Sequence, residues 1–442
     1  MSEVQTTEVK PEEVMDRLVS LTKRRGFVFP SSEIYGGIGS CWDYGPLGVE
    51  LKRNIKDHWW KSMTQKRDDI EGVDAAILMH PKVWEASGHV EGFTDPMVDC
   101  KKCKLRFRAD EVEGDKCPRC GGELTEPRQF NLMFKTFMGP VEDDSAVVYM
   151  RPETAQGIYV NFLNVLGPSR QKVPFGIAQI GKAFRNEISP GNFIFRSREF
   201  EQMEMQYFVD PQEDEKWLQY WREQRMQWYI DIGIVKEKLR WHQHTEAELA
   251  HYAKAAYDIE YEFPFGWKEI EGIHNRTDFD LAKHKEFSGK DLSYFSTEEK
   301  RRYIPYIIET SAGVDRTTLV CLVDAYHEEV VREEKRIVLR LDPKIAPIKA
   351  AVFPLVKRDG MPEVATKIYH ELKEHFKCFY DESAAVGRRY RRMDEAGTPY
   401  CITIDSQTLE DETVTVRERD SMAQTREKIP ELVEVIEEKI RF

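Results

Sequence analysis

Three stretches combine residue types that could hold a ligand and act on it. The first is Gln179-Ile-Gly-Lys-Ala-Phe-Arg-Asn-Glu187, followed by a loop and then Phe195-Arg-Ser-Arg-Glu-Phe-Glu-Gln-Met-Glu204. If both halves are strands, alternation puts Gln179, Arg185 and Glu187 on one face, and Arg198, Phe200, Gln202 and Glu204 on one face of the second. An ordinary half-buried strand shows one apolar and one solvated face. Here the polar face is crowded with Arg, Glu, Gln and an aromatic, which suggests a site. The loop from Ile188 to Ile194 carries Ser, Pro and Gly and could cover a ligand. The second stretch is Glu309-Thr-Ser-Ala-Gly-Val-Asp-Arg316. A strand from Tyr303 ends there and a helix begins, with Glu309 and Ser311 on one side. Arg316 falls in the first helical turn, where its fork can reach back over a ligand. The third is Arg151-Pro-Glu-Thr-Ala-Gln156, ahead of an apolar run.

A fourth constellation points to a metal. Cys100-x2-Cys103 and Cys117-x2-Cys120 stand with thirteen residues between them. Two such knuckles can give four thiolates to one tetrahedral Zn2+. Gly114 and Gly121-Gly122 suit the tight turns. Four protein ligands leave no open position, so the expected role is structural. Cys41, Cys321, Cys378 and Cys401 are scattered and are expected to be small buried hydrophobes.

The elements that must position these residues follow from periodicity. Residues 11–25 form a helix capped by Gly26, and a second helix follows Pro46, with Leu47, Leu51, Ile55, Trp59 and Met63 in one stripe. Val73 to Met79 reads as a buried strand. Residues 98–127 form a small module held by metal. Residues 213–258 read as helical. Strands are expected at 259–273 and 303–311, with a helix from about Gly313. From Ala346 short strands and helices alternate, ending in a helix over 422–441. That is an α/β domain of about 100 residues, with a boundary at 340–346.

Composition bounds the rest. The chain has 442 residues, enough for two or three domains, with 41% hydrophobic and 32% charged residues. No run is long and apolar enough for a membrane helix, and Met1 to Lys10 lacks signal-peptide character, so a cytoplasmic protein is expected. The net charge of −13 argues against a basic coat for non-specific nucleic-acid binding. It leaves room for a local basic patch, and Gly387-Arg-Arg-Tyr-Arg-Arg392 and Val416-Arg-Glu-Arg-Asp420 are such patches.

At these residues the sequence resembles a class II aminoacyl-tRNA synthetase. Phe184-Arg185-x-Glu187 with Arg196-x3-Phe200-x3-Glu204 is similar to that family's second motif, and Gly313-x-Asp315-Arg316 to its third. The Leu47–Met63 helix, the following strand and Pro81 are similar to the first, which builds the dimer interface. Trp84-Glu-Ala-Ser-Gly-His89 matches the subgroup with a C-terminal anticodon-binding domain. Trp42-Asp-Tyr-Gly-Pro-Leu-Gly48, Arg151–Asn161 and Trp267–Ile273 match the homodimeric glycyl-tRNA synthetases.

The resemblance implies an α+β fold. A class II catalytic domain built on an antiparallel sheet would cover 1–345, with a zinc-ribbon-like insertion at 98–127. An anticodon-binding α/β domain would cover 346–442. It implies an ATP site of Arg185, Asn186, Glu187, Phe195, Arg196, Arg198, Phe200, Glu269, Ile270, Gly313, Asp315 and Arg316, with Arg185 and Arg316 catalytic. Arg185 would meet the α-phosphate, Glu187 the adenine amino group, and Phe200 and Arg316 the two faces of the adenine. Arg196 or Arg198 would meet the terminal phosphates, and Glu269 a Mg2+ ion. A glycine pocket would comprise Arg108, Glu153, Gln202, Glu204, Glu309 and Ser311. A larger side chain can be excluded by clash, so no editing domain is expected. Implied partners are ATP, glycine, tRNA(Gly) and a second copy of the chain. Arg417, Arg419 and Gln424 are candidates for base contact. Three alternatives stay open: a synthetase-like accessory protein without catalysis, a zinc-ribbon nucleic-acid-binding module, and a synthetase for another small amino acid.

Overall fold

The structure is a computed structural model that describes residues 4–6, 10–189, 191–250, 252–331 and 333–441. A seven-stranded sheet organises the larger part. Its strands are β1 (Ile70–Gly72), β2 (Phe175–Phe184), β3 (Glu199–Val209), β4 (Leu239–Gln243), β5 (Ala255–Phe263), β6 (Gly266–Thr277) and β7 (Tyr306–Gly313). The spatial order is β4-β5-β6-β7-β3-β2-β1, antiparallel throughout except for the short parallel β1–β2 edge.

The two faces of this sheet differ as alternation demands. On β3, Met203, Met205, Tyr207 and Val209 enter the main core. Helices Pro11–Arg25, Pro46–Trp60, Asp214–Asp231 and Val314–Ala325 contribute Leu18, Leu51, Ile55, Trp59, Trp221 and Leu319 to it. Phe200, Gln202, Glu204 and Gln206 point the other way. Register carries the polar face across the strands, pairing Gln179 with Glu204, Glu204 with Ser311, Ser311 with Gly272 and Glu309 with His274.

Helix Pro11–Arg25 ends as expected, at Gly26 with φ +76°. Helix Pro46–Trp60 runs on into a π-helical turn, Lys61–Gln65. Three segments depart from expectation. Residues 73–79 do not form a strand: the β1–β2 ladder stops at Gly72, and Leu78 pairs again in an isolated bridge with Met150. Beyond Gly72 the Ala75 N–H donates to Gln179 Oε1 (2.6 Å), and the Ala75 carbonyl accepts from Arg151 (2.7 Å). Side chains thus take the backbone groups that a ladder would use. Residues 213–258 are α-helical only over Asp214–Asp231, with a short 3-10 turn at Lys236–Lys238. Gly233 turns the chain with φ +94°, and the alternation of Tyr257, Ile259, Tyr261 and Phe263 belongs to β5. Residues 422–441 begin with a strand, Gln424–Lys428, and become helical only over Leu432–Ile440. Pro430, in the intervening turn, removes a ladder donor.

Residues 350–428 form a five-stranded mixed sheet with its own core, including Val352, Ile368, Ile402 and Ile436. Buried Arg336 joins it to the larger part, reaching Glu329 at 2.9 Å and Asp394 at 2.8 Å. Among the described residues no helix is long and apolar enough to cross a membrane.

Candidate functional site

The chain's first and second chemical stretches meet on the polar face of the sheet. A cleft of about 680 Å³ is lined by Arg185, Glu187, Phe195, Arg196, Phe200 and Gln202 from one stretch. Glu269 and Ile270 come from β6, and Ser311, Gly313, Asp315 and Arg316 from β7 and the helix after it. Ile194 and Ser197 also line it and were not singled out from sequence. Both fall within the loop and its return, where side-chain direction follows from tertiary contacts.

Strand alternation holds for Phe200, Gln202 and Glu204 but not for Arg185 and Glu187. β2 ends at Phe184, and the Asn186 N–H leaves the ladder for the Leu132 carbonyl (2.7 Å). Arg185 still turns into the cleft. Its Nε donates to the Pro152 carbonyl (3.0 Å), and its guanidinium lies 5.4 Å from the centre of the Phe200 ring. Arg316 sits in the first turn of the helix after β7. Its guanidinium is 4.5 Å from the Phe195 ring centre, and its Nη1 is 3.1 Å from the Glu269 carboxylate. The paired aromatic is therefore Phe195 as well as Phe200.

Of the expected ATP contacts, Asn186 and Arg198 do not line the cleft, and Asp315 lines it with its carboxylate engaged elsewhere. Arg198 donates to the carbonyls of Glu187 and Gly39 and so clamps the loop. Asp315 edges the cleft, but its carboxylate accepts from Tyr44, from Lys52 (2.9 Å) and from the Glu201 N–H (2.7 Å).

Behind the cleft lies a buried acidic cluster. Glu204 accepts from Ser311 (2.6 Å), Thr154 (2.5 Å) and Gln202 (2.9 Å). All three donors are neutral. Burial, with the neighbouring charges of Glu309 and Glu153, pushes the Glu204 carboxyl up to about 8. Glu309 is different. Burial opposes its charge, but Arg276 (3.2 Å) and His274 (3.2 Å) outweigh burial and hold it at about 2. Glu153 is likewise held down against burial by His89, 3.4 Å away. Of three acids, only Glu204 has no cationic partner. Arg151 braces the floor by donating to the Lys182 carbonyl (2.6 Å). Gly181 permits this, since a Cβ there would lie 2.2 Å from Arg151 Nη2.

Arg276, His274, Gln206 and Thr154 were missed from sequence. The clue available was that Gly272, His274 and Arg276 alternate on a strand adjoining Glu309. Arg108 does not line the cleft. It pairs with Asp95 (3.0 Å) and Asp110 (2.7 Å), and Glu111 links it to Arg196.

The four cysteines converge, with sulfurs all within 4.8 Å of one another. Cys100–Cys120 is 3.5 Å and Cys103–Cys117 is 3.7 Å. Zinc–sulfur bonds of ~2.3 Å at tetrahedral angles put sulfurs about 3.8 Å apart, so the cradle fits that ion. Gly122 keeps it open, because a Cβ there would lie 3.2 Å from Cys100 Sγ. Cys321, Cys378 and Cys401 are buried, whereas Cys41 is only partly so.

In the C-terminal part, Arg419 is turned inward onto the Gly397 carbonyl (2.8 Å) and Asp420. Arg417 is engaged by Asp394 (2.9 Å). Neither guanidinium is free for a base. Gln424 and Arg388 are exposed, beside a cleft between the two parts.

Comparison with known proteins agrees with this architecture. Residues 137–326 match the family described as tRNA synthetase class II core domain (G, H, P, S and T), and residues 349–439 match the anticodon binding domain family. A glycine–tRNA ligase of Treponema denticola is 60% identical over 438 residues, covering 97% of both chains. One from Borreliella burgdorferi is 58% identical, covering 96% of this chain and 97% of its own. One from Thermobifida fusca is 54% identical, covering 97% and 98%. Similarity of this extent, running through both the sheet that carries the cleft and the C-terminal sheet, places this chain in the glycine–tRNA ligase family of class II aminoacyl-tRNA synthetases.

Proposed function

We propose that this chain activates glycine with ATP and transfers the glycyl group to the 3′ end of tRNA(Gly). Residues 1–345 would be the catalytic domain and residues 346–442 the anticodon-binding domain. The observation that carries the reading is the placement of Glu204, a buried acid lacking a cation, directly behind a cleft lined by Arg185 and Arg316.

ATP would lie in that cleft, its adenine against Phe200 or Phe195 and under Arg316, with Glu187 toward the amino group. Arg196 would meet the outer phosphates. Mg2+ would accompany the nucleotide, with Glu269 as its ligand. In the first step a glycine carboxylate oxygen attacks the α-phosphorus and pyrophosphate leaves. Charge gathers on the α-phosphoryl oxygens, where Arg185 can stabilise it. The work is positioning and electrostatics. In the second step a ribose hydroxyl of the tRNA attacks the adenylate carbonyl, and AMP leaves. The glycine ammonium would satisfy Glu204, with Ser311, Gln202, Glu153 and Glu309 around it. Tight packing there would exclude larger amino acids.

Zn2+ at Cys100, Cys103, Cys117 and Cys120 would hold the module together. A homodimer is supported by the motif-1 resemblance and by the loop bearing Ile34 and Tyr35, exposed by 88% and 87%. The test is pyrophosphate exchange with each amino acid in turn, followed by charging of tRNA(Gly). Exchange with glycine alone is expected. Exchange with none would favour an accessory protein, and with alanine, serine or proline a different specificity.

A further inference from the structure

Beyond the cysteines, we propose that His244, Asp258 and His274 form a second metal site, for a divalent transition ion of the zinc type. The three residues come from the end of β4, from β5 and from β6. Their ligand atoms all lie within 4.8 Å of one another. His244 Nε2 is 2.7 Å from Asp258 Oδ2, and His274 Nε2 is 3.6 Å from Asp258 Oδ1. An ion bound at ~2.1 Å with tetrahedral angles would hold such atoms roughly 3.4 Å apart. Two imidazoles and a carboxylate suit borderline transition ions rather than Mg2+ or Ca2+.

Three observations go beyond proximity. Buried His274 Nε2 makes no hydrogen bond. The opposite ring nitrogen, Nδ1, lies 3.2 Å from Glu309 Oε2. That carboxylate holds a proton on Nδ1 and directs Nε2 at the gap, where a bound ion would displace any proton it carries, the arrangement that orients metal-bound histidines. Finally, the gap is kept clear by Gly272. A Cβ there would stand 2.8 Å from His274 Nε2 and 3.6 Å from Asp258 Oδ1. The site would tie the sheet-edge histidine to β5 and β6 and fix the ring that braces Glu309.

The full chain should be dialysed against low concentrations of free Zn2+ and its bound zinc counted by mass spectrometry. Two ions per chain are expected. H244A and D258N should each lose one, while a Cys100→Ser variant should lose the other. Gly272→Ala keeps all three ligands but fills the gap, and should also lose one ion while its circular dichroism is unchanged. In wild type loaded with Co2+, the second equivalent should give ligand-field bands without thiolate charge transfer. One ion in the wild type, or two retained in both H244A and G272A, overturns the proposal.

Discussion

Ser311 donates its hydroxyl hydrogen to Glu204 at 2.6 Å across the β3–β7 pair, where the two residues are in register. Among the described residues no cation pairs with this carboxyl, and the charges of Glu153 and Glu309 bear on it, so it keeps its proton near neutrality. A bound ammonium would reverse that preference. Glycine binding at pH 7 should therefore release a proton. Calorimetry in two buffers of different ionisation enthalpy should register the release, and Glu204→Gln should abolish it. Buffer-independent heats in the wild type would remove Glu204 from the ammonium site.

The same shift sets a pH dependence of stability. Glu204 titrates near 4.5 when unfolded and about 8 when folded. Between those values the folded chain holds a proton that the unfolded chain has lost, so this group's contribution is full below 4.5 and declines toward pH 8. In urea unfolding without glycine, wild type should lose stability relative to E204Q across that window. A constant difference would contradict the assignment.

Arg185 and Arg316 both line the cleft. Arg185→Ala and Arg316→Ala should each lower glycine-dependent pyrophosphate exchange by about 10²–10³-fold, with the melting temperature little changed. Arg316→Lys should recover little, since an ammonium lacks the planar face that lies over Phe195. Wild-type exchange rates in either alanine variant would displace ATP from this cleft.

Asp315 should behave differently from its neighbour Arg316. It is buried and accepts from Tyr44, Lys52 and the Glu201 N–H. Asp315→Ala would leave the buried Lys52 ammonium to Glu201 alone (2.8 Å) and deprive Tyr44 and the Glu201 N–H of their acceptor, at a cost of about 1–3 kcal/mol. A lowered urea midpoint is expected. A loss of exchange with unchanged stability would instead make Asp315 a direct ligand contact.

What could be read from sequence followed the strength of local rules. The stripe of Leu51, Ile55, Trp59 and Met63 and the turn at Gly26 are set by helical period and backbone freedom, and the helix and its cap lie there. Phe200, Gln202 and Glu204 follow strict alternation on β3 and share one face. Arg185 escaped that rule because the Asn186 N–H pairs with Leu132, a residue far away in the chain. Residues 239–243 and 255–258, read as helical from sequence, are strands because they pair within the sheet with β5 and β6. Arg276 and His274 showed in sequence only as alternating polar residues, because their importance comes from Glu309 on the next strand. Arg417 and Arg419 looked available because sequence records charge and not the inward-facing partners Asp394 and the Gly397 carbonyl.

The four-cysteine module is coupled to the cleft by a short route. Glu111, within the module, is 3.1 Å from Arg196 at the cleft, and Arg108 flanks the same carboxylate at 3.6 Å. Cys117→Ser should lose the module's zinc and loosen residues 98–127, while the seven-stranded sheet keeps its own core. Glu111 would then no longer hold Arg196. The half-exposed ion pair is worth up to about 1 kcal/mol, so KM for ATP should rise by at most ~5-fold. Glu111→Gln, with zinc retained, should reproduce that rise without loosening the module, which hydrogen exchange over 98–127 can verify. An unchanged KM for ATP in both variants would mean that Arg196 is positioned without help from the module.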